Sequence, residues 1–370
     1  MTTTVTDFAL RELATFRSPS GCALSIYLDL DPSSTPTTTA AEKRFNALLT
    51  TAEKKARGNG CRALRDDLGR IKAWWRDEFV RDGARGVAVF SSSADGLFRA
   101  LPLPESAGDA VHLGPRLLVT PLASQLGDDG SLVAFVSRER GTLYRVEAGR
   151  LVEVLDASEE QPGRHDQGGW SQANYQRHIE HLVLQHLKTV GVELDRTVRR
   201  SGSPPIVVVA SEETRAELER ELSHEVRSAI VGWTTAEAHA SPSELLRLAR
   251  VFFVEERARA ENDVLERWRE AAGRGERSAA GWKQVLDAVS DGRVEVLLLP
   301  TGTNRQVWEC PECGRVSADG GKCPLDGTKL QNAADGVDAS IHQVLAHGGS
   351  FVWLASNALP DGGPAALLRY

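Results

Sequence analysis

The residues best suited to chemistry fall in two places. The first is Cys310-Pro311-Glu312-Cys313-Gly314, followed after eight intervening residues by Cys323-Pro324-Leu325-Asp326-Gly327. Two thiolates on a tight turn, closed by a glycine that lets the backbone fold round an ion, form a zinc knuckle. In the second half Asp326 stands where a fourth cysteine belongs. Zinc accepts carboxylate oxygen, so Cys310, Cys313, Cys323 and Asp326 can close a tetrahedron. The competing reading is a ribbon that has lost its metal and keeps its two turns by packing. Either way the role is structural, because a site closed by its own protein ligands leaves no open position for catalysis.

The second place is Gly168-Gly169-Trp170-Ser171-Gln172, at the end of a polar loop and directly before an amphipathic helix. Adjacent glycines open positive φ and allow close backbone approach to another surface. Glutamine offers two donors and an acceptor without charge, which suits it to orienting a water molecule. A plain helix-start turn is the bland alternative. No Ser–His–Asp or Cys–His set is evident, and no phosphate-cradling GxxxxGK[ST] occurs, so any enzymatic chemistry here is positional rather than nucleophilic. Trp170 can stack on a nucleobase or simply cover the helix start. Arg164 and Arg177 can meet phosphates or only water. His165, His178, His181 and His186 lack an accompanying carboxylate–histidine motif and read as ordinary surface or core histidines.

The elements that must position these groups alternate between helix and strand. Residues 1–125 read as an α/β unit with strands at "ALSIYLDLD", "GVAVFSS" and "FRALPLP" and two helices between the first pair. Lys43, Arg44, Lys54, Lys55 and Arg57 give the first of those helices a basic face, which reads as solvated surface. Residues 130–272 form a second unit. It holds the strand "LVAFVS", a hairpin turning at Ala148-Gly149, the glycine loop and its helix, the buried β-branched strand "PIVVVAS", and a long helix from Ser243 to about Ala272. In residues 278–370 the pattern helix–Gly–strand occurs twice, in "GWKQVLDAVSDG…VEVLLLP" and "DASIHQVLAHGG…FVWLAS", around an insertion at 308–330, and "ALLRY" supplies a last strand.

Composition bounds the reading. A chain of 370 residues exceeds one ordinary core, and 41% apolar with 26% charged residues is globular. A net charge of −7 argues against a protein that coats nucleic acid non-specifically, and DNA is not an expected partner. Local basic patches leave RNA open. The first residues carry neither a basic start nor an apolar core, and the apolar runs are strand-sized, so a soluble cytoplasmic protein is expected, with no membrane partner. Five cysteines are unevenly placed. Cys22 and Cys61 stand alone, and an odd count argues against a disulfide framework.

"GGWSQANYQRHIEHLVLQHL" resembles the Gly-Gly-Gln loop and following helix of archaeal and eukaryotic class 1 peptide-chain release factors, and the ending "GGPAALLRY" is similar to that family's C-terminal "GGIGALLRY". A cysteine-bearing insertion in the third domain is also similar to archaeal members. The resemblance implies an α/β chain of three-domain release-factor-like architecture. Its middle domain is RNase H-like, and its C-terminal domain is a ribosomal-protein-like α/β sandwich with a zinc-ribbon-like insertion. It implies hydrolysis of the peptidyl-tRNA ester in the ribosomal peptidyl-transferase centre, with rRNA, peptidyl-tRNA and a translational GTPase as partners. Carried over by position, Gly168 and Gly169 match the family glycines, but Trp170 occupies the glutamine position and Gln172 lies two residues later. A displaced glutamine is similar to the ribosome-quality-control peptidyl-tRNA hydrolases of the same superfamily. The segments that the family uses to read stop codons are missing, so decoding is not expected. The alternative is a non-catalytic factor that occupies the A site, as hibernation factors of the superfamily do.

Overall fold

A computed structural model describes residues 7–19, 21–59, 61, 64–81, 83–147, 149–156, 170–333, 335–359 and 362–370, with 7, 58–59 and 170–179 described in backbone only. The chain divides into two compact units. One is built from residues 1–127 together with 259–370, and the other from 128–258. The first and third sequence units thus pack as one body.

The N-terminal part begins with α1 (Asp7–Thr15), a helix absent from the sequence reading. It continues with β1 (Ala23–Asp29), α2 (Thr38–Asn59), α3 (Leu64–Asp77), β2 (Gly86–Ser92), β3 (Leu97–Leu103), β4 (Ala110–Gly114) and the single turn α4 (Thr120–Ala123). The strands pair in the order β3-β2-β1-β4, with every pairing antiparallel. Alternation along β1 serves two cores. Leu24, Ile26 and Leu28 pack under α2 and α3 with Phe45, Leu49 and Ile71, while Ala23 and Tyr27 face the opposite core. Cys22 and Cys61 are joined by a disulfide with Cα atoms 5.8 Å apart. This corrects the expectation that the two stand alone: parity of the cysteine count says nothing about a single local bridge.

The second unit comprises β5 (Leu132–Val136), β6 (Gly141–Glu147), β7 (Arg150–Asp156), α5 (Trp170–Ser201), β8 (Ile206–Val209), α6 (Glu212–Glu221), α7 (His224–Ala229), β9 (Ile230–Thr234) and the first half of α8 (Pro242–Arg274). Its sheet runs β7-β6-β5-β8-β9. The β5–β8 and β8–β9 pairs are parallel, and the β5–β6–β7 hairpins are antiparallel. Helices cover both faces, which explains the uninterrupted apolar run of β8. Leu132, Ala134, Ile206 and Val208 meet α5, α6 and α7, while Val133, Phe135, Val207 and Val209 meet Leu245, Leu246, Ala249 and Phe253 of α8.

The C-terminal part holds β10 (Ser278–Ala280), α9 (Gly281–Ser290), β11 (Val294–Pro300), the ribbon strands β12 (Val307–Glu309), β13 (Val316–Ser317) and β14 (Gln331–Ala333), then α10 (Gly336–Ala346), β15 (Ser350–Leu354) and β16 (Ala365–Leu368). The repeated helix–Gly–strand pattern gives β11 and β15 in parallel register, and "ALLRY" supplies β16, antiparallel to β11. One sheet face lies on Leu265 and Trp268 of α8. The other closes on α9 and α10 and is continuous with the core of the N-terminal part, where Leu10, Leu13, Val119 and Leu122 join Val289, Leu297, Ile341 and Val344. Among the described residues no helix is long and apolar enough to cross a membrane.

Candidate functional site

Of the residues singled out around the glycine pair, Arg164, Gly168 and Gly169 lie outside the described residues. Trp170 is the first residue of α5, Gln172 falls in its first turn and Arg177 in its second, and their side chains also lie outside the described residues. What the structure supplies is the mounting of that helix. Over 32 residues α5 rises about 48 Å. Val183, Leu187, Val190, Leu194 and Val198 form its buried stripe at spacings of four and three. Two glycines let it approach so closely. A Cβ on Gly141 of β6 would stand 2.4 Å from Val190 Cγ2, and one on Gly191 would stand 2.9 Å from the Glu221 carbonyl oxygen. His186 lies in the same stripe, 2% exposed, and neither ring nitrogen has a hydrogen-bond partner among the described residues. It is a core histidine, as its place on the apolar face predicts.

The cysteine cluster is described in full. Gly314 N donates to Cys310 O at 2.9 Å and Cys310 N to Arg315 O at 2.8 Å. Thirteen positions on, Gly327 N donates to Cys323 O at 2.9 Å and Cys323 N to Thr328 O at 2.8 Å. Gly314 and Gly327 both take left-handed φ, +77° and +74°. The two knuckles are therefore the same turn, and Asp326 occupies in the second the place Cys313 holds in the first. The ligand atoms of Cys310, Cys313, Cys323 and Asp326 all lie within 4.8 Å of one another. Cys313 Sγ is 3.5 Å from Cys323 Sγ, and Cys310 Sγ is 3.4 Å from Asp326 Oδ2. A tetrahedral zinc with sulfur at about 2.3 Å has ligand edges of about 3.8 Å, so the residues present fit such an ion.

The charges within the cluster are uneven. Burial first, then the neighbouring thiols and carboxylate, push the Cys313 thiol up to about 12. Cys323 is held below the usual thiol range because the amides of Leu325 and Asp326 outweigh its burial. The amide and hydroxyl of Thr328 hold the Asp326 carboxyl well below the carboxylate range. A divalent cation bound here would take the place of the thiol protons. Cys310 and Cys323 are buried with Leu330 and the half-buried Trp308, so the cluster has a small apolar floor.

The sequence reading did not find how the ribbon is fastened. Arg17 Nη2 donates to Pro311 O at 2.6 Å, and Gln343 Nε2 and Arg116 Nη2 donate to Gly314 O at 2.5 and 3.3 Å. Glu309 pairs with Arg116 at 2.8 Å and with Arg17 at 3.4 Å. Two arginines of the N-terminal part therefore grip the first knuckle by its own carbonyls. No local signal in sequence connects residues about 200–300 positions apart.

Comparison with known proteins bears on the middle of the chain. Residues 118–253 match the family described as Bacterial archaeo-eukaryotic release factor family 10, a span that includes the glycine pair, α5 and the whole sheet of the second unit. Over that span the chain is similar to a bacterial branch of release-factor-like proteins. The chain is 26% identical over 191 residues to peptide chain release factor subunit 1 of Methanopyrus kandleri, covering 49% of this chain and 46% of that protein. It is 23% identical over 190 residues to the same subunit of Aeropyrum pernix, covering 50% of each. The chain thus spans about half the length of the curated relatives it matches. Among solved structures it aligns over 100% of its length with 99% of the archaeal translation termination factor aRF1 at 16% identity and a TM-score of 0.27. It aligns over 77% with 77% of ribosome-bound archaeal Pelota at 14% identity and a TM-score of 0.40. Scores this low carry no further argument.

Proposed function

We propose that this release-factor-like protein acts in translation as a cytoplasmic, ribosome-associated factor that hydrolyses the peptidyl-tRNA ester without reading a stop codon. The observation that carries this reading is the family match over 118–253, which spans the Gly168-Gly169 pair and the α5 turn bearing Gln172. In the reaction, water oxygen attacks the ester carbonyl carbon, the bond to the tRNA ribose oxygen breaks, and a proton passes to that oxygen. Gly168 and Gly169 allow the backbone to approach, and Gln172 orients the water by side chain or backbone. Positioning alone supplies several kcal/mol of barrier reduction, up to about 7–11 in favourable cases. Trp170 stacks on a base, and Arg164 and Arg177 meet phosphates of rRNA or tRNA. A translational GTPase as carrier belongs to the same reading. Zinc held by Cys310, Cys313, Cys323 and Asp326 has a structural role.

The test is release of peptide from ribosome-bound peptidyl-tRNA by wild type, Gly169→Ala and Gln172→Ala. Loss in both variants supports the reading. Release that is absent, or equal in all three, ends the catalytic assignment of the loop. Trp170 at the position where the family carries glutamine favours a second reading, a non-catalytic factor that occupies the A site. Co-sedimentation with 70S particles, without peptide release, selects it. Failure to sediment even at low salt removes both.

A further inference from the structure

Helix α10 carries a buried ion pair for which the proposed hydrolysis has no use. Asp338 and His342, one turn apart, are 8% and 2% exposed. His342 Nδ1 lies 2.5 Å from Ala14 O and Nε2 lies 2.8 Å from Leu117 O. Both partners are carbonyl oxygens and neither can donate. A neutral imidazole has one N–H, so one of these contacts would set a ring lone pair against a carbonyl oxygen in a buried site. The imidazolium donates at both. Asp338 Oδ2 is 3.4 Å from Nε2, and Oδ1 accepts from Val119 N at 2.8 Å, Thr120 N at 2.9 Å and Thr120 Oγ1 at 2.9 Å. The cation meets two carbonyls and the anion two amides and a hydroxyl. All five partners come from Ala14 and from residues 117–120, in the N-terminal part.

We infer that this pair is a proton-dependent latch: protonated His342 fastens α1 and residues 117–120 to α10, and its deprotonation loosens them. The surroundings agree in sign. Burial by itself would drive the proton off His342, but the Asp338 carboxylate and the Ala14 carbonyl outweigh burial and the opposing Arg116, so its pKa is raised. Burial would likewise raise that of Asp338, but His342 and the amides of Thr120 and Val119 outweigh it, so it is lowered. Of the other titratable groups near the pair, His112 on β4 is lowered by burial and stays neutral, and Tyr27 on β1 is raised by burial and keeps its proton. A raised histidine contributes its stability fully below its unfolded value of about 6.5, and the contribution is lost as pH rises through the folded value. The depressed carboxyl loses its contribution only as pH falls through its own folded value. The latch is therefore shut below the unfolded histidine value, down to the lowered Asp338 value, and opens as pH rises through the raised folded value of His342.

Hydrogen exchange of the full chain from pH 6.5 to 9.5, corrected for intrinsic rates, tests this in wild type and His342→Gln. In wild type the protection of α1 and of 117–120 should fall by up to about tenfold for each pH unit between the unfolded histidine value of about 6.5 and the raised folded value, and level off above it, while α6 and α7 serve as internal controls. In His342→Gln protection should be low and flat with pH. Wild-type α1 protection that does not change with pH overturns the latch. Should the variant not fold, 15N spectra of histidine-labelled wild type at pH 6.5 decide: both His342 nitrogens protonated supports the latch, and one unprotonated nitrogen overturns it.

Discussion

Arg116 Nη2 lies 2.8 Å from Glu309 Oε1, with both side chains at least 85% buried, and the pair joins the end of the first sheet to the first residue before the knuckle cysteines. Burial lowers the Arg116 pKa, and Glu309 opposes that. Breaking a buried pair leaves a desolvated charge behind. Arg116→Ala should therefore destabilise the protein by about 2–4 kcal/mol in urea unfolding, near the low end if Arg17 takes over Glu309. The double change Arg116→Met with Glu309→Leu should recover most of the loss. A single variant as stable as wild type would show that the pair contributes nothing.

Asp326 should be the weak point of the ribbon. Purified protein should carry about one zinc per chain by elemental mass spectrometry, reduced in Asp326→Ala and held more tightly in Asp326→Cys, where a fourth thiolate replaces the carboxylate. Chelation should lower the unfolding temperature of wild type, because binding free energy of a structural ion is folding free energy. A zinc content near zero in chelator-free, reducing buffer contradicts the assignment.

The Cys22–Cys61 bridge closes a loop with a sequence separation of 39. Loop-closure entropy for that length amounts to about 4 kcal/mol, an upper figure if the reduced chain retains structure. Reduced protein and Cys61→Ser should thus lose stability together and to a similar extent. Mass spectrometry of protein alkylated before reduction checks that the bridge forms. If Cys61 alkylates freely under non-reducing conditions, no stability difference should follow.

His186 offers a gain rather than a loss. Both its nitrogens are buried without partners among the described residues, so there the side chain forfeits its hydration with nothing in return. His186→Leu should raise stability by about 1 kcal/mol, read as a higher unfolding temperature, with peptide release unaffected. Destabilisation would mean that a bound water satisfies the ring.

Packing under α5 makes a complementary case. Gly141→Ala places a methyl 2.4 Å from Val190 Cγ2 and should cost about 1–3 kcal/mol by overpacking. Val190→Ala in the same chain should return part of it. Additive losses would mean that the strand, not the valine, yields.

What sequence made legible here is whatever repeats at short range. The apolar run of β8, the stripe from Val183 to Val198 on α5, the two knuckles and the doubled helix–Gly–strand pattern all declare themselves within a few turns. The contacts that assemble them do not. Ala14 and His342 are 328 positions apart, and Arg17 and Pro311 are 294 apart. The i,i+4 spacing of Asp338 and His342 does not by itself mark a buried pair, which only the carbonyls and amides around them reveal. Helix α1 was missed because its role lies in the core that it shares with α9 and α10. Gly168, Gly169 and Gln172 are singled out by type and order alone, and both their role and their chemistry rest on the release assay.

The division of the chain has a consequence for its own synthesis. Residues 1–127 share a core with 259–370, and the ribosome makes 131 residues in between. Leu10, Leu13, Val119 and Leu122 therefore leave the exit tunnel long before Ile341 and Val344 exist to cover them. Residues 128–258 hold all the strands of their sheet and can fold in the interval, while the N-terminal part waits with one apolar face bare. At a few to twenty residues per second that wait is on the order of ten seconds to a minute. During it that apolar face stays open to solvent, and the arrival of Ile341 and Val344 on α10 ends the exposure.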